Sequence, residues 1–451
     1  MATSASISFS AGLYDPPDAV RDGLHAAEGD TFDLNLLRTK SVNPTPLKRK
    51  SSEDVSRLDR LLHRRVSLGG KCQGLHLDPE TEQKAMTIGN KIAHAAAETY
   101  LITRLAFILL RSFGVGYQWI QKAIFLVIYA ALLAPGFAQV GWYYFQSPRV
   151  WRSVVYGPHP RNRLDLYFPE DRTKPRPVVI FITGGAWIIG YKAWGALLGQ
   201  SLSARGVIVA CLDYRNFPQG TVIDMLLDVS NGISWVLEKA NELGGDPQSV
   251  VLVGQSAGAH LGSLALLKHA IKEANGLERL NWSLKQIRAF VGVSGGYNLH
   301  ELMDHFHEQG LYRSIFEKIM DGKEVMPFFS PEAILESKAF AGSENAAKLV
   351  PPVTLLHGTR DKSIPHQASE RFAEKLKKHG IAATTRIFVG KSHTDPIIQD
   401  PLRGGKDDLM EAVLAVLYEG IDEGGWPAAR PARRRMVPEP LIALAGRACP
   451  F

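Results

Sequence analysis

The segment 250–267, VVLVGQSAGAHLGSLALL, joins a short apolar run to a helix-like stretch through one serine among small residues. Residues 250–253 are β-branched and apolar, which is typical of a strand buried inside a parallel sheet. From Ala257 onward, apolar residues recur at helical spacing. A strand that turns directly into a helix strains the residue at the turn, and small neighbours relieve the crowding. The pattern predicts that the hydroxyl of Ser256 lies above a sheet at the positive end of a helix, which suits a nucleophile.

Strand-like and helix-like stretches alternate along the chain from Trp151 onward. Helical spacing is clear at 225–238 and 372–378. The predicted strands are 178–182, 207–212, 250–253, 289–293, 353–356 and 384–389. This alternation predicts an α/β fold with a mostly parallel central sheet and helices on both faces.

A serine nucleophile needs a base, and the base needs an acid that orients it. In α/β-hydrolases these residues follow the order Ser, Asp or Glu, then His. Asp361 follows the predicted strand 353–356, and His393 follows the strand 384–389, so both lie at the carboxyl edge of the sheet. The order and placement predict a triad of Ser256, Asp361 and His393. The rivals are expected to have other roles: His357 to shape the Asp361 loop, His260 to bond within the fold, and His366 to lie on an outward helix face. Asp395 is close to His393 in sequence, but that alone does not point its carboxylate at the imidazole.

The tetrahedral intermediate of such a reaction needs backbone N–H donors for its oxyanion. One predicted donor is the N–H of Ala257, which follows the nucleophile. The others are predicted in the loop TGGAW (183–187), where Gly184 and Gly185 leave the amides uncovered. Large aromatic residues end this loop or follow it; they are Trp187, Tyr191, Trp194 and Phe217. Each could line the substrate pocket or pack in the core, and the sequence favours neither role.

The segment 123–148 contains no charged residue and is long enough to cross a bilayer. The chain carries a net charge of +7, and residues 38–71 contain 10 Lys or Arg against 3 Asp or Glu. We therefore expect four regions: a disordered basic arm over 1–90, one or two apolar membrane helices over 91–148, a catalytic domain over 149–425, and a basic tail over 426–451. If both apolar stretches cross the membrane as a hairpin, the positive-inside rule keeps the basic arm in the cytosol, and with it the catalytic domain.

Three cysteines without metal spacing indicate a reducing compartment rather than a disulfide framework. They are Cys72, Cys211 and Cys449. The predicted chemistry needs no metal and no organic cofactor. Anionic lipid is the expected partner of the basic arm, and no motif supports nucleic-acid binding.

These motifs resemble the hormone-sensitive-lipase-like branch of the α/β-hydrolases, in which a histidine usually stands at the position of Thr183. A closer resemblance, over about residues 119–419, is to the plant isoprenylcysteine alpha-carbonyl methylesterase family. It is carried by the stretches FITGGAWIIGYKAWG (181–195), CLDYRNFPQG (211–220), GQSAGAH (254–260), LHGTRDKSIP (356–365) and GKSHTDP (390–396).

The resemblance implies an enzyme of endoplasmic reticulum and Golgi membranes that removes the methyl ester from a prenylated C-terminal cysteine. It also implies substrate contacts at Gly184, Gly185, Ala186, Gln255, Ser256 and Ala257. Three alternatives stay open from the sequence: a general carboxylesterase, an amidase similar to kynurenine formamidase, and a catalytically inactive receptor similar to the gibberellin receptor. The retained Ser256, Asp361 and His393 disfavour the receptor, and the uncharged segment disfavours a soluble amidase.

Overall fold

The computed structural model describes residues 117–276, 280–343, 345–419 and 434–449. The predicted arm over 1–90 and the first part of the predicted membrane region, 91–116, lie outside the described residues.

Eight strands form one sheet. They are β1 Val150–Val155, β2 Arg163–Tyr167, β3 Arg176–Ile182, β4 Ile208–Leu212, β5 Gly245–Gln255, β6 Ala289–Val293, β7 Val353–Gly358 and β8 Ala383–Phe388. Their order across the sheet is β1-β2-β4-β3-β5-β6-β7-β8. Strand β2 pairs antiparallel with β1 and β4, and all other pairs are parallel. The predicted α/β-hydrolase fold with a mostly parallel sheet is confirmed.

Helices cover both faces of this sheet. They are α1 Tyr117–Gln146, α2 Ala196–Ser203, α3 Val222–Lys239, α4 Ala257–Ala274, α5 Leu299–Glu308, α6 Arg313–Ile319, α7 Pro331–Leu335, α8 Lys338–Ala341, α9 Ala346–Leu349, α10 Gln367–Lys378, α11 Asp400–Arg403, α12 Asp408–Leu417 and α13 Glu439–Ala448. Helix α4 packs on β5 and β6 from one side, and α12 meets β5 from the other. Burial on both faces explains why β4 and β6 are apolar at every position, as are residues 250–253 of β5.

The six predicted strands are all present, and the prediction for 289–293 is confirmed to the residue. Strands β1 and β2 were not predicted, because their sequences VWRSVV and RLDLY contain charged residues. Asp165 in β2 is fully buried, but its carboxylate accepts hydrogen bonds from Tyr144 Oη and from the backbone N–H of Ser153, both at 2.7 Å. Because these hydrogen bonds satisfy the carboxylate, a charged residue can be buried in β2, which the sequence pattern alone would not predict.

The uncharged segment 123–148 forms most of α1, which continues through Pro135. Within the described ranges, one helical stretch, Ile124–Gln146, is long and apolar enough to cross a membrane by length and composition alone. One stripe of α1 is buried against the hydrolase, at the spacing of an amphipathic helix. Its members are Tyr129, Leu133, Gly136, Val140 and Tyr144.

The region 426–451 is not simply the basic tail that the sequence predicts. Its described part contains α13, which packs along α1, and Ile442, Ala445 and Cys449 belong to the buried core. Ile442 and Ala445 lie on one face of α13, and Cys449 directly follows the helix. The sequence did not predict this helix, because the arginines nearby dominate the composition.

Gly136 sets how closely α1 approaches the hydrolase. A methyl group on Gly136 would lie 2.6 Å from both Leu402 Cδ2 and Val437 Cγ2, whereas one on Gly141 would meet nothing within 4 Å. We expect Gly136→Leu to destabilise the protein by about 1–3 kcal/mol, because it overpacks this contact. Gly141→Leu is the matched control in the same helix. Its melting temperature in detergent should equal that of the wild type or be slightly higher. Equal melting temperatures for the two variants would contradict the docking of α1.

Candidate active site

Ser256 lies between β5 and α4 in the strained backbone that the sequence predicts. Its φ and ψ are 54° and −118°, and its N–H donates to the carbonyl of Val293 at 2.8 Å. The flanking glycines are required by close backbone contacts. A methyl group on Gly254 would lie 2.4 Å from the Gly258 carbonyl oxygen, and one on Gly258 would lie 2.1 Å from the Ile182 carbonyl oxygen. Such a turn raises the serine above the carboxyl edge of the sheet.

Asp361 and His393 meet at the same edge of the sheet, beyond β7 and β8. Asp361 Oδ2 accepts a hydrogen bond from His393 Nδ1 at 2.7 Å. The other carboxylate oxygen, Oδ1, accepts the backbone N–H groups of Ser363 and Ile364, both at 2.9 Å. The carboxylate is thus fixed by its own loop and faces the imidazole, as an orienting acid must.

His357 is a second partner of the Asp361 carboxylate. Its Nε2 lies 3.1 Å from Asp361 Oδ2 and 2.9 Å from the Ile364 carbonyl oxygen, and its Nδ1 lies 2.8 Å from Ser369 Oγ. This geometry agrees with the structural role predicted for His357. Burial by itself raises the pKa of Asp361, but the charge of His393 and hydrogen bonds from both histidines outweigh it, so the pKa falls well below its usual range. Asp361 therefore stays ionised.

The free edge of the His393 ring faces the nucleophile turn. Its Nε2 lies 3.3 Å from Nε2 of Gln255, the residue before Ser256. Among the described residues, no hydrogen bond joins Ser256 Oγ to His393. The side chain of Gln255 also lies against the glycine loop, since a methyl group on Gly184 would be 2.0 Å from Gln255 Oε1. Gln255 thus bridges the loop and the imidazole.

The loop after β3 carries the predicted oxyanion donors. Gly185, Ala186 and Trp187 have φ values of +123°, +50° and +61°, which is a strained run for two residues with side chains. In the described part of the chain, no hydrogen-bond acceptor is recorded for the N–H groups of Gly184, Gly185, Ala186 and Ala257. A methyl group on Gly184 would lie 2.8 Å from the Gln255 carbonyl oxygen, so the two donor-bearing turns are in contact.

Sequence reasoning missed three polar residues that hold this loop and the turn after it, namely Tyr214 and Asn216 after β4 and Arg161 before β2. Tyr214 Oη donates to the Thr183 carbonyl at 2.9 Å. The Gly190 carbonyl accepts from Asn216 Nδ2 at 2.6 Å and from Arg161 Nη2. The signal was present, because the polar residues of DYRN (213–216) directly follow a buried strand and so lie at the carboxyl edge.

The rival acid Asp395 has a different partner. Its Oδ2 accepts the backbone N–H of Ser392 at 2.6 Å, which shapes the turn that carries His393. The described residues include no group of three or more His, Cys, Asp or Glu side chains that could hold a metal ion.

Known proteins are similar to this chain in sequence over most of its length. A family model described as BD-FAE matches residues 164–376. The probable isoprenylcysteine alpha-carbonyl methylesterase of Oryza sativa subsp. japonica is 55% identical over 370 residues, which are 82% of this chain and 88% of that protein. The isoprenylcysteine alpha-carbonyl methylesterase of Arabidopsis thaliana is 51% identical over 391 residues, 86% of this chain and 90% of that protein. The chain belongs to the isoprenylcysteine alpha-carbonyl methylesterase family.

Membership of the methylesterase family confirms the resemblance drawn from the sequence motifs. Among solved structures, esterase B from Lactobacillus rhamnosis is similar with a TM-score of 0.47 and 20% identity, covering 61% of this chain and 89% of that one.

The Asp361 contacts generate a testable difference between two nearby aspartates. We expect Asp361→Asn to lower kcat for an ester substrate by about 10³- to 10⁴-fold, because an amide neither stabilises the imidazolium nor holds the correct tautomer. Asp395→Asn, the matched control, should retain most of the activity. Initial rates with p-nitrophenyl acetate test both variants, and the assignment of the acid is wrong if Asp395→Asn is the more damaging change.

Proposed function

We propose that this chain is a serine carboxylesterase that hydrolyses the methyl ester of a C-terminal isoprenylcysteine, in proteins or in small prenylcysteine esters. The observation that carries the proposal is the convergence of three features at one edge of the sheet: the strained Ser256 turn, the Asp361–His393 pair and the glycine loop 183–187. The family relationship supports the choice of ester, because relatives that match most of the chain carry that name.

In the proposed mechanism, His393 Nε2 removes the proton of Ser256 Oγ, which attacks the ester carbonyl. Asp361 holds the opposite ring nitrogen and stabilises the imidazolium that forms. The N–H groups of Gly184, Gly185 and Ala257 receive the oxyanion, with Gln255 and Ala186 beside the bound ester. Methanol leaves with the proton from His393, and water, deprotonated by the same imidazole, hydrolyses the acyl-enzyme. Because His393 performs every proton transfer, this scheme requires no metal or organic cofactor.

Two of the alternatives are enzymes that act on a different substrate, and the third is a protein without catalytic activity. A general carboxylesterase would use the same residues on short esters, and an amidase would split a formamide. A receptor without activity is disfavoured by the intact 2.7 Å hydrogen bond between His393 and Asp361.

The decisive experiment measures release of free acid from farnesylcysteine methyl ester in detergent micelles. We expect turnover that Ser256→Ala lowers by several orders of magnitude, because the nucleophile and base act as a unit. The prenyl substrate should be strongly preferred over a short methyl ester of the same amino acid. Equal rates on both esters would leave a general esterase, and preference for N-formylkynurenine would favour the amidase.

We further propose that the catalytic domain works at endoplasmic reticulum and Golgi membranes, on their cytosolic side, with the outer face of α1 in contact with lipid. Polar contacts hold α1 to the hydrolase along its length: Lys122 Nζ donates to the Gln309 carbonyl at 2.6 Å, Gln139 Nε2 to the Met436 carbonyl at 2.9 Å, and Tyr144 Oη to Asp165 at 2.7 Å. Helix α1 would therefore enter lipid with the hydrolase attached.

The outer face of α1 has the chemistry of a helix that lies in a membrane interface. It is apolar and exposed, and its large residues include Ile124, Val127, Trp142 and Phe145. At one end, the guanidinium of Arg152 lies 4.9 Å from the centroid of the Phe145 ring, where it can meet lipid phosphates. An apolar face bordered by aromatic and basic side chains suits binding to anionic lipid. A prenyl chain dissolved in the bilayer would then be close to the enzyme.

Charged substitutions on this face should lower the activity on a membrane-bound substrate and leave the activity on a soluble substrate unchanged. We expect the double variant Val127→Glu, Trp142→Glu to lose at least about tenfold in activity on farnesylcysteine methyl ester in phosphatidylcholine–phosphatidylserine vesicles, because charged side chains resist entry into lipid. Its activity on a short soluble ester should be unchanged. Val389→Glu is the control, since Val389 is an exposed apolar residue outside α1. Equal vesicle activity in the two variants would exclude this lipid contact.

A further inference from the structure

The proposed oxyanion hole is assembled from two separate elements. The N–H of Ala257 belongs to the first turn of α4, whereas the N–H groups of Gly184 and Gly185 belong to the loop after β3. An oxyanion is held only when donors from both elements lie about 3 Å from one point. The distance between α4 and the loop therefore affects catalysis, and some contact has to maintain it.

A buried hydrogen bond joins these two elements. Trp187 Nε1, on the loop, donates to His260 Nδ1, on α4, at 3.2 Å. His260 lies one turn after the nucleophile, and its backbone N–H donates to the Ser256 carbonyl at 3.1 Å. The other ring nitrogen, Nε2, lies 2.7 Å from the carbonyl oxygen of Phe329. The imidazole thus connects the nucleophile helix, the oxyanion loop and the chain segment before α7.

The Trp187 end of this connection is held firmly. Its side chain is 2% exposed, and its ring meets those of His260 and Phe316 edge to face, with centroid distances of 5.4 and 5.7 Å. Its backbone has a φ of +61°, and its carbonyl accepts the N–H of Phe217 at 2.8 Å. A large residue keeps such a backbone only where its surroundings enforce it. Since Ala186 and Gly185 share the strained run, fixing Trp187 fixes the donors before it.

We propose that His260 is a positioning residue that sets the geometry of the oxyanion hole by tying Trp187 of the glycine loop to the helix that carries Ser256. The inference rests on the proposed function, because it concerns donors whose role is part of that proposal. His260 acts through Trp187 and does not itself touch the substrate.

The hydrogen bonds of His260 specify its chemical form. A carbonyl oxygen can only accept, so Nε2 carries the proton and Nδ1 offers the lone pair that Trp187 needs. Burial lowers the pKa of His260 to about 4, although the hydrogen bond to the Phe329 carbonyl acts in the opposite direction. The imidazole is therefore neutral at the pH of the cytosol, and the Trp187 contact stays formed.

The test removes the connection from each side. His260→Leu removes both ring hydrogen bonds, Trp187→Phe removes the N–H donor together with part of the buried ring, and His260→Gln can restore an acceptor and a donor. We expect the first two changes to lower kcat for farnesylcysteine methyl ester about 10- to 100-fold, with KM altered by less than about twofold. The double variant His260→Leu, Trp187→Phe should have a kcat no lower than that of the less active single variant. His260→Gln should recover part of the lost kcat.

The affinity for a trifluoromethyl ketone analogue of the substrate is the second measurement, because a purely structural role of His260 would leave this affinity unchanged. Ser256 Oγ adds to its carbonyl carbon, the proton passes to His393, and the carbonyl oxygen becomes an oxyanion that needs the donors. Its affinity should fall by the same factor as kcat, while inhibition by the prenylcysteine acid product stays unchanged.

His269→Leu is the matched control. His269 is also on α4, is also buried, and its Nε2 lies 2.6 Å from a carbonyl oxygen, that of Trp282, but it does not contact the glycine loop. This variant should keep wild-type kcat and ketone affinity even where its melting temperature falls. The inference is overturned if His260→Leu lowers only the melting temperature, or if ketone and product affinities fall together.

The outcomes also separate this inference from the proposed function. If the wild-type protein hydrolyses p-nitrophenyl acetate but not the prenyl ester, the proposed substrate is wrong, and the same variants test the His260 connection on the short ester. If Ser256 neither turns over esters nor reacts with a fluorophosphonate, both proposals fail.

Discussion

The close approach of two backbones at Gly258 is the constraint on which the rest of the site depends. The first turn of α4 can lie against the end of β3 only because residue 258 has no side chain, as a Cβ there would be 2.1 Å from the Ile182 carbonyl oxygen. This contact places the Ser256 turn and the glycine loop 183–187 side by side. The Trp187–His260 hydrogen bond at 3.2 Å then closes the same junction from the other side. The proposed nucleophile and the proposed oxyanion donors are therefore parts of one packed unit.

The charge-bearing half of the site is built on loops and depends on hydrogen bonds instead. Asp361 receives two backbone N–H groups and two histidine nitrogens, which together keep a buried carboxylate ionised. Among the described residues, no lysine or arginine forms an ion pair with this carboxylate, and its orientation toward His393 comes from the loop itself. In the proposed mechanism, this carboxylate stabilises the positive charge that forms on the facing imidazole.

Sequence reasoning succeeded where a feature is local and periodic. The buried strands, the turn at Ser256 and the residues at strand ends are all visible within short windows, so the edge at which Asp361 and His393 meet could be predicted. It failed where a residue takes its role from a partner far along the chain. Trp187 and His260 are 73 positions apart, and the buried Asp165 of β2 has Tyr144 of α1 as one of its two hydrogen-bond donors. No periodicity reveals such pairs, because they follow from packing.

The boundaries of the catalytic unit follow from the same kind of contact. Tyr129 Oη of α1 lies 3.4 Å from Thr394 Oγ1, and Cys449 Sγ, just after α13, lies 3.3 Å from the same hydroxyl. Thr394 directly follows His393, so both ends of the described chain meet beside the proposed base. A hydrolase cut at residues 149 and 425 would expose the apolar surface that α1 and α13 cover. The apolar helix is thus an integral layer of the enzyme, and any lipid that it contacts lies one helix away from the proposed catalytic histidine.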